Sequence, residues 1–196
     1  SWTLTALPLF VWMGEILFRT KLSENLFKGL SPWMSRLPGG LIHVNVVGCA
    51  LFAAISGSSA ATVATVGKMS IPELRKRNYP EKLLLGSLAG SGTLGLLIPP
   101  SIILIIYGVT VQESIAKLFI AGIIPGIMLA IFFMFYVIGW SILNKDIMPK
   151  TETKFSFYEK IKGSSQLIPV IILIISVIGS IYAGIATATE AASLGV

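Results

Sequence analysis

Charged side chains are scarce in this sequence. Only 12% of the 196 residues are Asp, Glu, Lys or Arg, whereas 54% are hydrophobic. A water-soluble domain carries about 25% charged residues, so this composition excludes an ordinary soluble protein. Apolar runs such as residues 118–143 exceed the roughly 20 residues that cross a bilayer as a helix. The sequence therefore predicts an all-α integral membrane protein with several spans.

Cysteine is nearly absent as well. The single Cys49 excludes a disulfide within the chain, and its apolar neighbours predict a buried, inert thiol. The sequence also lacks an initiator methionine and a signal sequence at Ser1, and it stops at Val196 inside an apolar segment. We therefore expect a piece of a longer chain.

Apolar runs and polar interruptions divide the chain into four parts. Residues 1–36 predict a scaffold-type span followed by an interfacial amphipathic helix. The apolar face of that helix combines Leu22, Leu26, Phe27 and Leu30. Residues 41–143 form a predicted transport-type region. Residues 144–165 predict a polar, Lys-rich cytoplasmic loop, and residues 166–196 predict a span and the start of the next helix.

The transport-type region contains three predicted elements. An apolar segment over residues 41–71 is interrupted by the sequence Ser-Gly-Ser-Ser at residues 56–59. A second segment over residues 82–111 is interrupted by two adjacent prolines, whereas a third over residues 117–143 is continuous.

Basic residues fall into three clusters that constrain the topology. Thirteen of the 15 lie beside the amphipathic helix, after residues 41–71 or within residues 144–165. The clusters are Arg19, Lys21, Lys28 and Arg36; Arg75, Lys76, Arg77 and Lys82; and Lys145, Lys150, Lys154, Lys160 and Lys162. Basic clusters beside spans favour the cytoplasm. All three share that side only if residues 41–71 enter and leave the membrane on the same side.

The length of the interrupted segment supports such a return. Each arm beside residues 56–59 has about 12–15 residues and reaches roughly 20 Å, short of the ~30 Å hydrocarbon core. We therefore interpret residues 41–71 as a re-entrant helical hairpin whose tip, residues 56–59, lies near the bilayer midplane. The alternative is a single kinked span with one basic cluster on the other side.

The second interruption predicts a broken transmembrane helix. Pro99 and Pro100 lack N–H groups, and a residue before proline avoids the α region. Three glycines just upstream weaken the helix further. We expect one half-helix from about residue 82 to Thr93, an extended link, and a second half-helix that starts near Ser101. Irregular backbone at membrane depth is tolerated only inside protein or beside a polar cavity.

The tip and the link together form the predicted binding site. Free carbonyls and hydroxyls suit a hard alkali cation, and a helix N-terminus suits a carboxylate. None of these residues is acidic, so a bound cation would rest on dipoles and on the substrate's own carboxylate. The candidate residues are Ser56, Gly57, Ser58, Ser59, Ser91, Gly92, Thr93, Gly95, Pro99, Pro100 and Ser101, with Ser56, Ser58, Ser91, Gly92 and Gly95 as the candidate sodium ligands.

Four motifs in this order resemble one transporter family. Residues 57–80, 91–108, 118–128 and 184–193 are similar to the large membrane subunit of tripartite ATP-independent periplasmic (TRAP) transporters. The resemblance implies that the chain is most of the first of two inverted repeats, each with a hairpin and a broken helix. It also implies a sodium-coupled, elevator-type importer of an organic acid such as sialic acid or a C4-dicarboxylate, not an enzyme.

The resemblance extends to partners and location. It implies a bacterial inner-membrane protein that works with a small membrane subunit and a periplasmic substrate-binding protein. Na⁺ is the expected coupling ion, with no other cofactor and no nucleic-acid partner. The other half of the substrate site would then lie in the part of the family's large subunit that this chain does not contain.

Three other functions remain open from the residues alone. A one-component sodium–dicarboxylate symporter also uses hairpins and broken helices, and a channel filter could use the same carbonyls. An intramembrane serine hydrolase would need a base beside a tip serine, and His43, the only histidine, lies 13 positions before Ser56. We interpret His43 as structural, Glu15 and Arg19 as an i,i+4 ion pair, and Glu190 as the capping partner of Thr187.

Overall fold

The structure, a computed structural model, describes residues 5–20, 22–149 and 155–196. Within these ranges the chain is all helical, with no strand. The α-helices are α1 Ala6–Arg19, α2 Leu22–Met34, α3 Ile42–Ser56, α4 Ser59–Lys76, α5 Glu81–Gly92, α6 Ile102–Val111, α7 Ile115–Leu143, α8 Phe157–Ser164, α9 Ile168–Tyr182 and α10 Ala188–Gly195.

The N-terminal part contains two helices. In α1, Arg19 Nε donates to Glu15 Oε1 at 2.8 Å, which confirms the predicted ion pair. Helix α2 buries Leu26, Phe27 and Leu30 on one face, as the amphipathic pattern predicts. Lys21, Lys150, Lys154 and the side chain of Leu22 lie outside the described part of the chain.

Helices α3 and α4 pack side by side and run antiparallel. The turn between them consists of Gly57 and Ser58. Gly57 has φ +60°, a left-handed conformation that glycine adopts without strain, and it ends α3. Ser58 begins α4 by accepting a hydrogen bond from the amide of Ala61. The predicted interruption at residues 56–59 is therefore a helix–turn–helix, and α4 continues past the predicted end at residue 71 to Lys76.

Helices α3, α4 and α5 form the centre of the molecule. Helix α3 is buried on nearly every side, including His43, Asn45 and Cys49, which are 0% exposed. A helix that is apolar all round belongs in the interior. The base of the α4–α5 turn is closed by an ion pair in which Arg75 Nε donates to Glu81 Oε1 at 3.1 Å.

The predicted break in the second segment is present. Helix α5 ends at Gly92, and a 3₁₀ turn over Thr93–Leu96 follows it. The chain is then irregular until Ser101, which begins α6 by accepting a hydrogen bond from the amide of Leu104. The Pro99–Pro100 peptide bond is cis. The half-helices thus end and begin within one residue of the predicted positions.

In the described ranges, two helices are long and apolar enough to cross a membrane. They are Ile115–Leu143, which is α7, and Phe157–Tyr182, which joins α8 to α9 through a 3₁₀ turn. Helix α7 has 29 residues and is a continuous helix despite Pro125. Much of its surface is apolar and exposed, as lipid contact requires.

The predicted loop over residues 144–165 is wrong in its second half, where α8 forms. Ser156 donates its amide to Glu159 Oε2 at 2.7 Å, so a capping box begins this helix. Helix α8 then packs on α2, where Trp33 Nε1 donates to Ser164 Oγ at 2.9 Å. The high lysine content concealed a helix whose tertiary contacts lie about 130 residues earlier in the chain.

Candidate ion and substrate site

The tip of the hairpin contacts the link of the broken helix through the main chain. The amide of Ile102 donates to the carbonyl of Gly57 at 3.1 Å. A Cβ atom at residue 57 would lie 2.7 Å from the carbonyl oxygen of Pro100. Only glycine fits there, because both its left-handed φ angle and this close approach exclude a side chain. The two predicted interruptions are therefore joined directly.

A second close approach lies on the other side of the tip. A Cβ atom at Gly95 would lie 2.8 Å from the amide nitrogen of Ser59 and 2.9 Å from the carbonyl carbon of Ser58. Gly92 packs against Val63 of α4 in the same way. The 3₁₀ turn after α5 thus lies directly against the first residues of α4.

Four helix ends converge at this contact. The C-termini of α3 and α5 carry partial negative charge, and the N-termini of α4 and α6 carry partial positive charge. The first pair of ends suits a cation and the second suits an anion. No group of three or more His, Cys, Asp or Glu side chains that could hold a metal ion occurs in the described ranges. Any charge bound here would therefore interact with main-chain dipoles and hydroxyls.

The tip hydroxyls form a short hydrogen-bonded cluster. Ser56 is 0% exposed, and its Oγ lies 3.0 Å from Thr62 Oγ1 of α4. The same Oγ lies 3.3 Å from the carbonyl of Ser58. The Oγ of Ser59 is buried and has no hydrogen-bond partner among the described residues. Buried hydroxyls are normally paired, so Ser59 offers an available ligand at the tip.

The hydroxyls of the break differ in orientation. Ser101 is buried, and its Oγ donates to the carbonyl of Leu96 at 2.6 Å across the link. Thr93 is exposed, and its Oγ1 donates to the carbonyl of Gly90 at 2.6 Å. Pro99 and Pro100 are both buried at the link. Ser101 therefore belongs to the junction, whereas the Thr93 side chain points away from it.

Ser91 is a predicted sodium ligand whose side chain the fold directs away from the tip. Its Oγ donates to the carbonyl of Ser87 at 2.5 Å and lies 3.4 Å from the carbonyl of Asn45. Asn45 precedes Ser56 by 11 residues, or about 16 Å along α3. The Ser91 hydroxyl therefore lies beside Asn45, well before the tip along α3, and it already bonds to main-chain carbonyls.

Sequence reasoning missed three polar residues near the predicted site. Thr62 pairs with Ser56, while Asn45 and Ser87 bond one another between α3 and α5. A lone amide such as Asn45 in an apolar run was the available signal, because polar groups buried in a membrane are costly. Gly14 of α1 also approaches the tip, where a Cβ atom would lie 3.1 Å from Ser56 Cβ.

His43 lies at the far end of the hairpin from the tip serines. It is 0% exposed, and its Nε2 lies 2.8 Å from the carbonyl of Pro38. It precedes Ser56 by 13 residues, or about 20 Å of helix. It therefore cannot reach a tip serine as a general base, and its role is structural, as predicted.

Comparison with known proteins identifies the family. Residues 1–196 match the model of the "Tripartite ATP-independent periplasmic transporter, DctM component". A C4-dicarboxylate TRAP transporter large permease protein of Pseudomonas aeruginosa is 34% identical over 98% of this chain and 44% of its own length. A sialic acid TRAP transporter permease protein of Haemophilus influenzae is 33% identical over 98% of this chain and 31% of its own length.

A third relative is the isethionate TRAP transporter permease protein of Oleidesulfovibrio alaskensis, which is 36% identical over 99% of this chain and 30% of its own length. The chain thus spans less than half the length of these curated relatives. All three are named as TRAP permeases, and the family match covers every residue. The chain belongs to the family of DctM components of tripartite ATP-independent periplasmic transporters.

Proposed function

We propose that the protein containing this chain imports an organic acid by secondary transport coupled to Na⁺. The chain would supply the first repeat of the large membrane subunit in a bacterial inner membrane. A small membrane subunit and a periplasmic substrate-binding protein would complete the transporter. The names of the three relatives support an anionic substrate, because C4-dicarboxylates, sialic acid and isethionate all carry negative charge at neutral pH.

The contact between the tip and the link carries this proposal. The bond from Ile102 to Gly57 brings two helix C-termini and two helix N-termini to one place without any acidic side chain. Carbonyl and hydroxyl oxygens can bind Na⁺, and the adjacent N-termini can then bind a carboxylate. A cation and an anion that bind side by side tighten each other by the same factor, which is the basis of coupling.

Elevator-type alternating access is the second part of the proposal. In it, α3–α7 move against a scaffold that includes α1 and α2. The hairpin would be re-entrant, since α3 has 15 residues and reaches about 22 Å, less than the ~30 Å core. The same reasoning places the three basic clusters in the cytoplasm.

Cysteine labelling tests the re-entrant hairpin. With Cys49 replaced by alanine, single cysteines at Arg36 and at Arg77 should both react from the cytoplasm alone. A cysteine in the turn after α6, at Gln112, serves as the control and should react from the opposite side. Labelling of residues 36 and 77 from opposite sides would contradict the hairpin and favour one kinked span.

Uptake into proteoliposomes tests the transport function. The full-length protein is reconstituted with its small subunit and binding protein, and uptake of a C4-dicarboxylate, sialic acid and isethionate is measured against a sodium series. We expect uptake of one acid that requires an inward Na⁺ gradient. Equal uptake with K⁺ would refute sodium coupling.

Omitting the binding protein distinguishes the remaining alternatives. A TRAP transporter should lose uptake, whereas a one-component symporter should keep it. Sustained conductance without any substrate would instead indicate a channel.

A further inference from the structure

A polar contact below the tip joins the first arm of the hairpin to the first half of the broken helix. Asn45 of α3 is 0% exposed. Its Nδ2 donates to Ser87 Oγ at 3.0 Å and to the carbonyl of Leu84 at 3.3 Å, both in α5. In the other direction, the hydroxyl of Ser91 in α5 donates to the main-chain carbonyl of Asn45 at 3.4 Å. We refer to Asn45, Ser87 and Ser91 as the α3–α5 latch.

Burying the polar side chains of the latch costs free energy. Asn45 and Ser91 are buried and Ser87 is half-buried, at positions where leucine or alanine would pack without hydrogen bonds. Moreover, Asn45 Oδ1 has no partner among the described residues. An unpaired buried acceptor destabilises the folded protein. The two hydrogen bonds from Asn45 to α5 offset part of that cost and hold the two helices at one register.

The position of the latch indicates what these bonds contribute. Helices α3 and α5 end at the tip contact, where the only bond from α3 to the link is that between Gly57 and Ile102 in the described part of the chain. That bond joins the end of α3 to the start of α6 and does not itself hold α3 in register with α5. The latch lies about 16 Å away along α3 and supplies side-chain hydrogen bonds between α3 and α5 themselves. The two attachments together tie α3 to both halves of the broken helix, to α6 at the tip and to α5 below it.

We propose that the α3–α5 latch is a positioning device that aligns the tip with the link for cation binding. Asn45 and Ser87 are positioning residues, because both lie too far from the tip to contact a bound ion there. The inference rests on the proposed function. It also assigns Ser91 to alignment rather than to direct sodium binding.

Sodium titration of variants tests the latch. In the reconstituted full-length transporter, Asn45→Leu keeps the number and branching of the side-chain heavy atoms but removes both bonds to α5. Ser87→Ala removes one bond by a milder change. We expect each to raise the sodium concentration for half-maximal uptake, by about five- to thirtyfold for Asn45→Leu, with little change in the maximal rate. The double variant should be no worse than Asn45→Leu, because the shared bond is already lost.

Ser180→Ala serves as the matched control. Among the described residues its hydroxyl bonds only to the carbonyl of Val177 in its own helix, at 2.8 Å, so the sodium curve should stay native. A native curve for Asn45→Leu and Ser87→Ala would overturn the proposal. A lower maximal rate without a shift in the curve would also overturn it, since that result indicates fewer folded molecules.

Hydrogen exchange at Ile102 gives a readout that does not depend on sodium. If the latch aligns the tip, its loss should weaken the bond from Ile102 to Gly57. The Ile102 amide should then exchange about five- to thirtyfold faster in Asn45→Leu and Ser87→Ala, but not in Ser180→Ala. Native exchange rates refute the latch. Sodium-independent uptake by the unmodified transporter refutes the proposed function instead, while exchange still decides the latch.

Discussion

Helix α7 and the broken helix are both apolar and both contain proline, yet only one of them breaks. Helix α7 continues through Pro125 for 29 residues, whereas the segment formed by α5 and α6 separates at Pro99 and Pro100. A single proline removes one hydrogen bond, and neighbouring residues can compensate for its loss. Two adjacent prolines, with glycines before them and an N-capping serine after them, specify a new helix start. The proline pair with its capping serine therefore defines the break.

The two segments also contact each other. Gly122 of α7 lies against the link, where a Cβ atom would be 2.7 Å from the carbonyl of Leu97. Gly126, one turn on, lies similarly close to Ile98. The irregular link thus packs against α7. The two glycines at this contact allow the close approach because they have no side chain.

Replacing both link prolines should have the largest effect. Pro99→Ala with Pro100→Ala restores two amide donors and lets α5 and α6 join towards one regular helix. We expect uptake to fall to background while the protein still inserts, measured in proteoliposomes and by membrane fractionation. Pro125→Ala in α7 is the matched control and should keep uptake within about twofold. Normal uptake by the double variant would mean that the prolines only kink a structural helix.

The glycines allow a sharper test with a graded effect. Gly57→Ala places a side chain at a left-handed φ angle and 2.7 Å from the Pro100 carbonyl. We expect uptake to fall by at least about tenfold, because the left-handed conformation alone costs about 1–2 kcal/mol for alanine. Gly139→Ala in α7 is the control, since no atom lies within 4 Å of the added Cβ. Equal uptake by the two variants would contradict the close contact at the tip.

Removing a tip hydroxyl should have an intermediate effect on the sodium dependence of uptake. Ser58→Ala removes a candidate sodium ligand, and we expect the sodium concentration for half-maximal uptake to rise about five- to thirtyfold. Ser91→Ala should shift it less, because its hydroxyl already donates to carbonyls within the latch. A native sodium curve for Ser58→Ala would exclude that side chain as a ligand.

Removing the charge of Glu15 in α1 should have the smallest effect on uptake. Glu15 and Arg19 form an exposed i,i+4 pair, and such pairs contribute about 0–1 kcal/mol. Glu15→Gln should therefore leave uptake and its sodium dependence within about twofold of the unmodified protein. Loss of transport in this variant would assign Glu15 a functional role in place of a structural one.

The elements that sequence reasoning predicted correctly are those with local causes. The positions of the break, the hairpin turn and the capping box at Thr187 follow from proline, glycine and hydroxyl side chains that act on their own backbone. Burial of Cys49 followed from its apolar neighbours and is confirmed.

What sequence reasoning could not predict depends on packing between distant segments. The orientation of Ser91 depends on which face of α5 meets α3, and both faces of α5 look similar in sequence. The latch partner of Asn45 lies 42 residues later, and helix α8 depends on contacts with α2. Single-sequence patterns carry no information on such pairings, because packing and not propensity decides them.

The main-chain bond between residues 57 and 102 has a consequence for mutational scanning. Alanine at position 102 keeps the amide, so a conventional alanine scan would not test the donor that joins the two halves of the candidate site. Proline at 102, or an ester in place of that amide, deletes the donor itself and would expose its contribution. The junction thus depends on a main-chain donor at one residue and on the absence of a side chain at the other, Gly57.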